Sequence, residues 1–224
     1  MITMEQQFTE LVKHSSTKII RFGATLSISD GVMPYLLPKM IEHWKNVRFQ
    51  LITQNTQELL EELEKGMIDF ALIEGNFDKK KYANTPFMEE DFYGFCKTGS
   101  EYSKFTKLED CVSAPLILRE KGSGTRDIFE SECMAHNMKS ENFTFLYEID
   151  NISVILNMLK KDMGITFAYR CAVQKELEEG DIQIIPLEDF NLKRTFSFVA
   201  LPNSLKTEEM FEICEVIKKL IKNL

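Results

Sequence analysis

The segment REKGSGTRDIFE, residues 119–130, places two glycines and two hydroxyl residues directly before a helical pattern. Free N–H groups in the first turn of a helix bind anions, and glycine lets a ligand approach the backbone. Ser123 and Thr125 add hydroxyl donors to these N–H groups. We therefore interpret Ser123, Gly124 and Thr125 as residues that bind a small anion. A helix cap is the simpler alternative, but a cap needs one hydroxyl and no glycine pair.

Arg126 follows these residues immediately and has two interpretations of equal weight. Its guanidinium can bind a carboxylate, sulfate or phosphate through two parallel hydrogen bonds. It can equally form an ion pair with Glu130, four residues further along the same helix. We include Arg126 among the ligand-binding candidates and keep the ion pair as the alternative.

A second hydroxyl-rich turn, GATLSISDG at residues 23–31, follows the buried strand pattern KIIRF. It places Thr25 and Ser27 between a strand end and a helix start. Ligands of open α/β sheets bind at the carboxyl ends of strands, and both hydroxyl-rich turns obey this rule. One helix end contributes only roughly 0.3–2 kcal/mol per charge, so a usable site needs two facing clusters. For this turn alone, helix capping is the favoured alternative.

Glu74 follows the apolar strand pattern DFALI and therefore stands at another carboxyl end. In that position its carboxylate can touch a ligand held by the neighbouring turns. The alternative is an exposed strand end without a role in binding, and this alternative is slightly favoured. Carboxylate pairs elsewhere, such as Glu61 and Glu62, are typical of solvated helix faces.

Five cysteines and three histidines are spread along the chain without a C-x-x-C unit. Thiols spread in this way are mostly buried small hydrophobic residues in a reducing compartment. The GSG segment lacks the lysine of a phosphate-binding loop and the third glycine of a dinucleotide site, and no G-x-S-x-G motif occurs. We therefore expect no catalytic residue, no metal and no cofactor.

The composition, with 44% hydrophobic and 28% charged residues, is typical of a globular protein. A net charge of −8 and a pI near 5.1 argue against nucleic-acid binding by a basic face. Apolar runs are too short to cross a bilayer, and the N-terminus lacks the basic and apolar regions of a signal peptide. We expect a cytoplasmic protein that does not contact membranes.

Strand patterns alternate with helical patterns along the chain, which predicts a mainly parallel sheet with helices on its faces. The segments LEKGMIDFAL and LKKDMGITFAY are similar, since both run from a helix end through a methionine into an apolar strand. This similarity suggests two related α/β lobes. Strands are predicted at residues 18–25, 47–53, 67–73, 91–97, 114–118, 143–149, 164–169, 182–187 and 195–201. Helices are predicted at residues 30–44, 55–66, 126–136 and 151–161, with a further helix that ends at residue 177 and a last one that starts at about residue 207.

Four segments, in this order, resemble the effector-binding domain of LysR-type transcriptional regulators. They are FGATLSISDGVMPYLLPKMIEHW, QNTQELLEELEKGMIDFALIEG, LREKGSGTR and DNISVILNMLKKDMGITFAY. The details IEG and GSGTR resemble the branch that contains regulators of sulfur assimilation and carbon fixation. The resemblance extends from about Lys18 to the C-terminus.

The resemblance implies a type II periplasmic-binding-protein fold, in which two Rossmann-like α/β lobes are joined by two crossover strands. Lobe I would comprise residues 18–96 and 198–224, and lobe II residues 97–197. The strands DFYGFCK and TFSFVAL would be the crossovers. In this family small effectors, here an anion, a carboxylate or an amino acid, bind in the cleft between the lobes. The positions that match cleft residues are Thr25, Ser27, Glu74, Ser123, Gly124, Thr125 and Asn151.

The resemblance also implies partners. The family forms homodimers, and full-length members can form tetramers, with the helix Asp30–Trp44 of one subunit against a lobe II helix of another. Apolar helix faces alone are equally compatible with an intramolecular core. Contact with DNA would require a helix-turn-helix domain that this chain lacks. Residues 1–17 would be a remnant of the linker helix or a leader.

Two other functions fit parts of the pattern. The first is a solute-binding receptor for a small oxyanion or organic acid in a transport system, because SGTR also occurs in phosphate receptors of similar architecture. The second is an enzyme on the same scaffold, which the lack of a nucleophile–base pair makes the least favoured. We therefore expect a non-enzymatic, ligand-sensing regulatory domain that controls DNA binding by a full-length regulator.

Overall fold

A computed structural model describes residues 18–202 and 207–222. The interpretation of residues 1–17 as a linker-helix remnant or leader lies outside this range. The described chain forms two α/β lobes that share one continuous seven-stranded sheet. This is the fold class that the resemblance implies.

Lobe I is built around a short parallel sheet with helices on both faces. Strand β1 lies in the middle because its residues Phe22, Gly23 and Ala24 are buried on both sides. Leu59 and Leu63 cover one face of the sheet, and Leu36 and Met40 belong to the core on the other face. The elements of this lobe are β1 (Lys18–Ala24), α1 (Leu26–Gly31), α2 (Met33–His43), β2 (Val47–Thr53), α3 (Thr56–Glu64), β3 (Phe70–Ile73) and α7 (Thr207–Ile221).

The helix predicted at residues 30–44 is two helices in the structure. Helix α1 begins directly after Thr25 and ends before Val32, whose N–H donates to the carbonyl of Ile28. Helix α2 then starts at Met33 with Pro34 in its first turn, where the missing N–H is tolerated. Because α1 starts so early, Thr25 and Ser27 lie at a strand–helix junction, as a ligand-binding turn requires.

Two long antiparallel strands cross between the lobes. They are β4 (Ala83–Lys97) and β9 (Leu192–Ala200), which pair from Ala83 opposite Ala200 to Phe92 opposite Leu192. Both begin earlier than the segments DFYGFCK and TFSFVAL that were predicted as crossovers. Strand β9 also pairs with β3, and the end of β4 pairs with strands of lobe II. The sheet therefore connects the lobes without a flexible linker.

Lobe II adds two strands to the end of β4 and a separate parallel pair. Its core stacks the ring of Phe129 on that of Phe167 at a centroid distance of 4.4 Å, with Phe190 beside them. The helix predicted from Arg126 starts at Gly124, which places the GTR residues in its first turn. The elements are β5 (Pro115–Leu118), α4 (Gly124–Ala135), β6 (Phe145–Glu148), α5 (Ile152–Lys160), β7 (Thr166–Tyr169), α6 (Gln174–Glu178) and β8 (Ile182–Ile184).

Candidate functional site

The two hydroxyl-rich turns meet between the lobes. Ser27 Oγ and Thr125 Oγ1 lie 2.9 Å apart and share a hydrogen bond, although 98 residues separate them in the chain. Both side chains are buried, with 4% and 3% of their surface exposed. Thr25 and Ser123, which flank this pair, are buried as well. The structure therefore brings the two clusters to one place, at the N-termini of α1 and α4.

Glycine allows the backbones of the two lobes to touch beside this hydrogen bond. A Cβ atom built on Gly124 would lie 2.6 Å from Cα of Gly75 and 3.4 Å from Thr56 Oγ1. A Cβ atom built on Gly31 would lie 2.6 Å from the carbonyl group of Cys171. Contacts this short exclude any side chain at these two positions while the lobes remain together. Gly124 thus permits close approach of the lobes.

Four buried side-chain oxygens on lobe I have no hydrogen-bond partner among the described residues. They follow the carboxyl ends of the three parallel strands or open the next helix, so they share one edge of the sheet. A buried polar atom without a partner costs about 1–3 kcal/mol, so a cluster of such atoms favours the binding of water or of a polar ligand. The atoms are Thr25 Oγ1, Gln54 Oε1, Thr56 Oγ1 and Glu74 Oε2.

Gln54 and Thr56 were not predicted as site residues. The N-cap of α3 is Asn55, which forms a reciprocal capping box with Glu58. The hydroxyl of Thr56 is therefore not needed for capping. The rule that ligands bind at the carboxyl ends of strands applies to β2 as well, and it would have indicated both residues.

Glu74 is buried, with 5% of its surface exposed. The alternative of an exposed strand end is therefore wrong. Burial raises the pKa of its carboxyl to about 7, against the opposing effects of its own backbone N–H, a hydrogen bond from Ser27 and the charge of Arg119. The phenol of Tyr169 in lobe II donates to the Glu74 carbonyl at 3.4 Å. Glu74 therefore lies at the contact between the lobes and exchanges a proton near neutral pH.

The N-terminus of α4 presents unused donors. Ser123 is the N-cap residue, but its side chain makes no capping hydrogen bond. The first hydrogen bond inside the helix runs from the Asp127 N–H to the Ser123 carbonyl, which leaves the N–H groups of residues 124–126 outside the helical ladder. Backbone N–H groups and a free hydroxyl at a helix N-terminus form a site for one negatively charged group.

Arg126 forms the ion pair with Glu130 that was the alternative to ligand binding. Its Nε donates to Glu130 at 2.8 Å, and its Nη1 donates to Glu148 at 2.5 Å and to the Arg119 carbonyl at 3.2 Å. The residue is buried and all three partners belong to lobe II, so the guanidinium joins α4 to β6 and to the end of β5. These contacts take up the donors that the ligand-binding interpretation requires.

Asn151 lies at the N-terminus of α5, next to a residue that lines a small cavity between the lobes. Its side chain accepts the Val154 N–H at 3.3 Å and so caps α5. The next residue, Ile152, lines a cavity of about 10 Å³ between the lobes together with Ser27, Arg119 and Thr125. A cavity of this size holds at most about one water molecule. The lobes must therefore move apart to admit a ligand.

Comparison with known proteins identifies the family. The sequence profile described as LysR substrate binding domain matches residues 13–220. The chain belongs to the LysR substrate-binding domain family. It is 23% identical over 196 residues to the HTH-type transcriptional regulator CysL of Bacillus subtilis, covering 86% of this chain and 64% of CysL. It is 25% identical over 191 residues to a probable RuBisCO transcriptional regulator of Gracilaria tenuistipitata, covering 83% and 62%.

Solved structures agree with this assignment at the level of the fold. The regulatory domain of Synechocystis CcmR, solved in complex with 2-PG, superimposes with a TM-score of 0.81 at 16% identity, covering 92% of this chain and 99% of that one. Reduced OxyR superimposes with a TM-score of 0.77 at 17% identity, covering 92% and 96%. The LysR domain described here spans a little under two thirds of the length of the curated relatives above.

The thiols of this LysR domain are free, and burial raises the pKa of four of them to about 11 or 12. Thiols with such pKa values stay protonated at neutral pH and are poor nucleophiles. Within residues 18–202 and 207–222, no three His, Cys, Asp or Glu side chains are placed to hold a metal ion. No helix in the same ranges is long and apolar enough to cross a membrane.

Proposed function

We propose that this chain is the ligand-sensing part of a LysR-type transcriptional regulator and is not an enzyme. A small anion or carboxylate binds between the lobes, changes their arrangement and thereby controls how the full-length cytoplasmic protein binds DNA. The observation that carries this proposal is the Ser27–Thr125 hydrogen bond. It joins the N-terminus of α4 to a cluster of buried oxygens, and within residues 18–202 and 207–222 these oxygens have no hydrogen-bond partner. The relatives, which are transcriptional regulators, support this function over transport.

The ligand acts because it contacts both lobes at once. It replaces the direct Ser27–Thr125 hydrogen bond with contacts of its own, so its affinity differs between the closed arrangement and the one that admits it. Arg126 is left out of the proposed contacts because lobe II already binds its guanidinium. The proposed contact residues are Thr25, Ser27, Glu74, Ser123, Gly124 and Thr125, with Asn151 at the edge.

Replacing Ser123 with alanine tests the site on lobe II. Hydrogen bonds to charged groups contribute roughly 1.5–3 kcal/mol, so we expect the Ser123→Ala variant to bind its ligand about 10- to 100-fold more weakly. The fold should be unaffected, because this side chain makes no capping hydrogen bond. Isothermal titration calorimetry with sulfur oxyanions, amino acids and organic acids measures the effect.

The control for this experiment is Ser113→Ala. Ser113 is exposed, and its hydroxyl bonds to the Asp110 carbonyl within lobe II. This variant should bind like the original protein. Failure of every compound in the three classes to bind the unmodified domain would contradict the proposed function. Equal affinities of the Ser123 and Ser113 variants would instead remove the N-terminus of α4 from the site.

We also propose that the domain forms a homodimer, and that a full-length regulator dimerises or forms tetramers in the same way. Exposed apolar side chains lie on both surfaces that such a dimer would use. Tyr35 and Ile41 of α2 are 54% and 52% exposed, and Val154 of α5 is 44% exposed. Strand β6 adds Phe145, which is 59% exposed. In a dimer with a two-fold axis, α2 of each subunit packs against α5 of the other, so the exposed apolar side chains of both helices are buried in both subunits.

Replacing Val154 with aspartate is expected to convert this dimer into a monomer, because two unpaired carboxylates would be buried at the interface. Light scattering after size-exclusion chromatography measures the mass. Met134→Asp is the matched control, because Met134 is 63% exposed but lies on α4. A monomeric unmodified domain, or a dimeric Val154 variant, would contradict the proposed interface.

A further inference from the structure

We propose that the ligand is a small zwitterion, with an ammonium group bound by Glu74 and its neighbouring oxygens on lobe I and a carboxylate bound at the N-terminus of α4 on lobe II. The inference rests on the proposed function, since it names the ligand of the same site. Amino acids with short side chains are the corresponding chemical class. Lobe I supplies two oxygens that can only accept, whereas the N-terminus of α4 supplies N–H donors, and this difference is the basis of the assignment.

Lobe I supplies acceptors. Glu74 Oε2 and Gln54 Oε1 are buried oxygens without partners among the described residues, and neither a carboxylate nor an amide oxygen can donate. The hydroxyls of Thr25 and Thr56, which also have no partner among the described residues, can either donate or accept. An anion alone would leave Glu74 Oε2 and Gln54 Oε1 unsatisfied, whereas an ammonium group offers three donors to these oxygens and to the hydroxyls.

Lobe II supplies donors. The N–H groups of residues 124–126 and the Ser123 hydroxyl lie at the start of α4, a helix of 12 residues. The two sets lie side by side, because Gly124 touches Gly75, the residue after Glu74, and approaches Thr56 Oγ1. A molecule with its positive and negative groups a few atoms apart can bridge the two sets after a small separation of the lobes. A long or bulky ligand would require a larger separation, which would break the contacts of Gly124 with Gly75 and of Gly31 with Cys171.

The charges around the site also favour a ligand that carries its own cation. Arg119, at the end of β5, donates to Glu120 at 2.8 and 3.0 Å. Lys81, at the opening next to Thr56, contacts Glu64 at 2.6 Å. Both cations are therefore already neutralised. A simple anion would lie beside the Glu74 carboxylate while both of these cations are paired with other carboxylates, which is unfavourable in a buried site.

The protonation of Glu74 gives a distinguishing pH dependence. The titratable groups that face it are Arg119 and Glu120 from the end of β5 and Tyr169 and Cys171 from lobe II. Burial raises the pKa of both the Tyr169 phenol and the Cys171 thiol, so both stay neutral near pH 7. Glu74 must lose its proton to bind an ammonium group, so affinity for a zwitterion rises with pH up to about 7. A simple anion would show the opposite trend.

Calorimetry with matched compounds tests the inference on the unmodified domain. Glycine, L-alanine and L-serine are compared with acetate, propionate and lactate, which lack the ammonium group, and with ethylamine, which lacks the carboxylate. We expect at least one amino acid to bind at least about tenfold more tightly than its analogues. Its affinity should rise about tenfold per pH unit below pH 7.

The Glu74→Gln variant should lose the preference for the ammonium group and the pH dependence, while Glu89→Gln, an exposed carboxylate on β4, should change neither. Tighter binding of propionate or lactate, or affinity that falls as pH rises, would overturn the zwitterion and leave the proposed function intact. Absence of binding by every one of these compounds would overturn the zwitterion, and absence of binding by the sulfur oxyanions and the other amino and organic acids as well would overturn both. The comparison on the unmodified domain decides the matter even where the Glu74 variant does not fold.

Discussion

Replacing Gly124 with alanine is expected to weaken ligand binding on the order of 100-fold while the lobes stay folded. The new Cβ atom would lie 2.6 Å from Cα of Gly75, a backbone atom that cannot rotate away. We expect the contact between Gly75 and Gly124 to persist when the lobes open around Ser27 and Thr125 to hold a ligand. Alanine at residue 124 forces a further separation at this contact, which moves the donors of α4 away from lobe I in the ligand-bound arrangement. Overpacking of this kind costs about 1–3 kcal/mol, and this backbone contact belongs at the upper end.

The Gly124→Ala substitution disturbs the contact between the lobes and does not destabilise lobe II itself. Gly124 is the first residue of α4, where alanine is the better helix former by roughly 0.5–1 kcal/mol. This gain offsets part of the cost of the broken contact between the lobes, so calorimetric affinity should fall strongly while the midpoint of thermal unfolding changes little. Small-angle X-ray scattering should show a slightly larger radius of gyration for the variant.

Gly180→Ala is the control for this variant. Gly180 has φ +76°, and a Cβ atom built on it would have nothing within 4 Å. Alanine in this left-handed conformation costs roughly 1–2 kcal/mol of stability and should not change ligand affinity. If Gly124→Ala bound the ligand as tightly as the unmodified domain, the contact between Gly75 and Gly124 would have no part in the ligand-bound arrangement.

Sequence patterns predicted those helices and strands whose start and end are marked by neighbouring residues. Helix α3 is an example, because its Asn55 cap and the stop at Gly66, which has φ +70°, are encoded within a dozen residues. The early start of β4 was missed, since its first residues include Pro86 and no regular alternation of apolar residues. That part of β4 is held by pairing with β9, more than 100 residues away in the chain, which tertiary structure alone determines.

In the candidate site, too, features set by neighbouring residues were predicted, and features set by tertiary contacts were not. The hydroxyl-rich turns were visible in the sequence because glycine and serine stand at strand ends. For Arg126, the local partner Glu130 was visible, but Glu148 lies 22 residues away and is brought near by the β5–β6 pair. The burial of Glu74 depends on contact between lobes, so its sequence neighbours indicated an exposed strand end. Chemistry at an interface between lobes is therefore the part that sequence patterns predict least.

Replacing Glu74 with glutamine is expected to stabilise the ligand-free domain by about 3 kcal/mol at about pH 8. Burial raises the carboxyl pKa to about 7 from an ordinary value of 4.5. Below pH 4.5 both the folded and the unfolded chain hold the proton, and Glu74 has no effect on the pH dependence. Between about pH 4.5 and pH 7 the unfolded chain releases a proton that the folded chain keeps, so stability falls as pH rises.

Glutamine carries no titrating proton, so the variant does not share this loss. Urea unfolding of both proteins, at one protein concentration and without ligand, should give similar free energies near about pH 4.5 and a widening difference up to about pH 7, constant above it. Burial also raises the pKa values of Asp30, Glu90 and Asp127, but these groups are present in both proteins and cancel in the difference.

Glu89→Gln again serves as the control, because Glu89 is exposed and its removal should leave the pH profile of stability unchanged. Parallel profiles for the unmodified domain and the Glu74 variant would show that Glu74 is ionised in the folded, ligand-free protein. The expected result has a functional meaning as well. Glu74 would destabilise the ligand-free fold at neutral pH, and a ligand cation that pairs with its carboxylate would restore the lost stability. The addition of the bound amino acid should therefore raise the unfolding midpoint of the unmodified domain more than that of the variant.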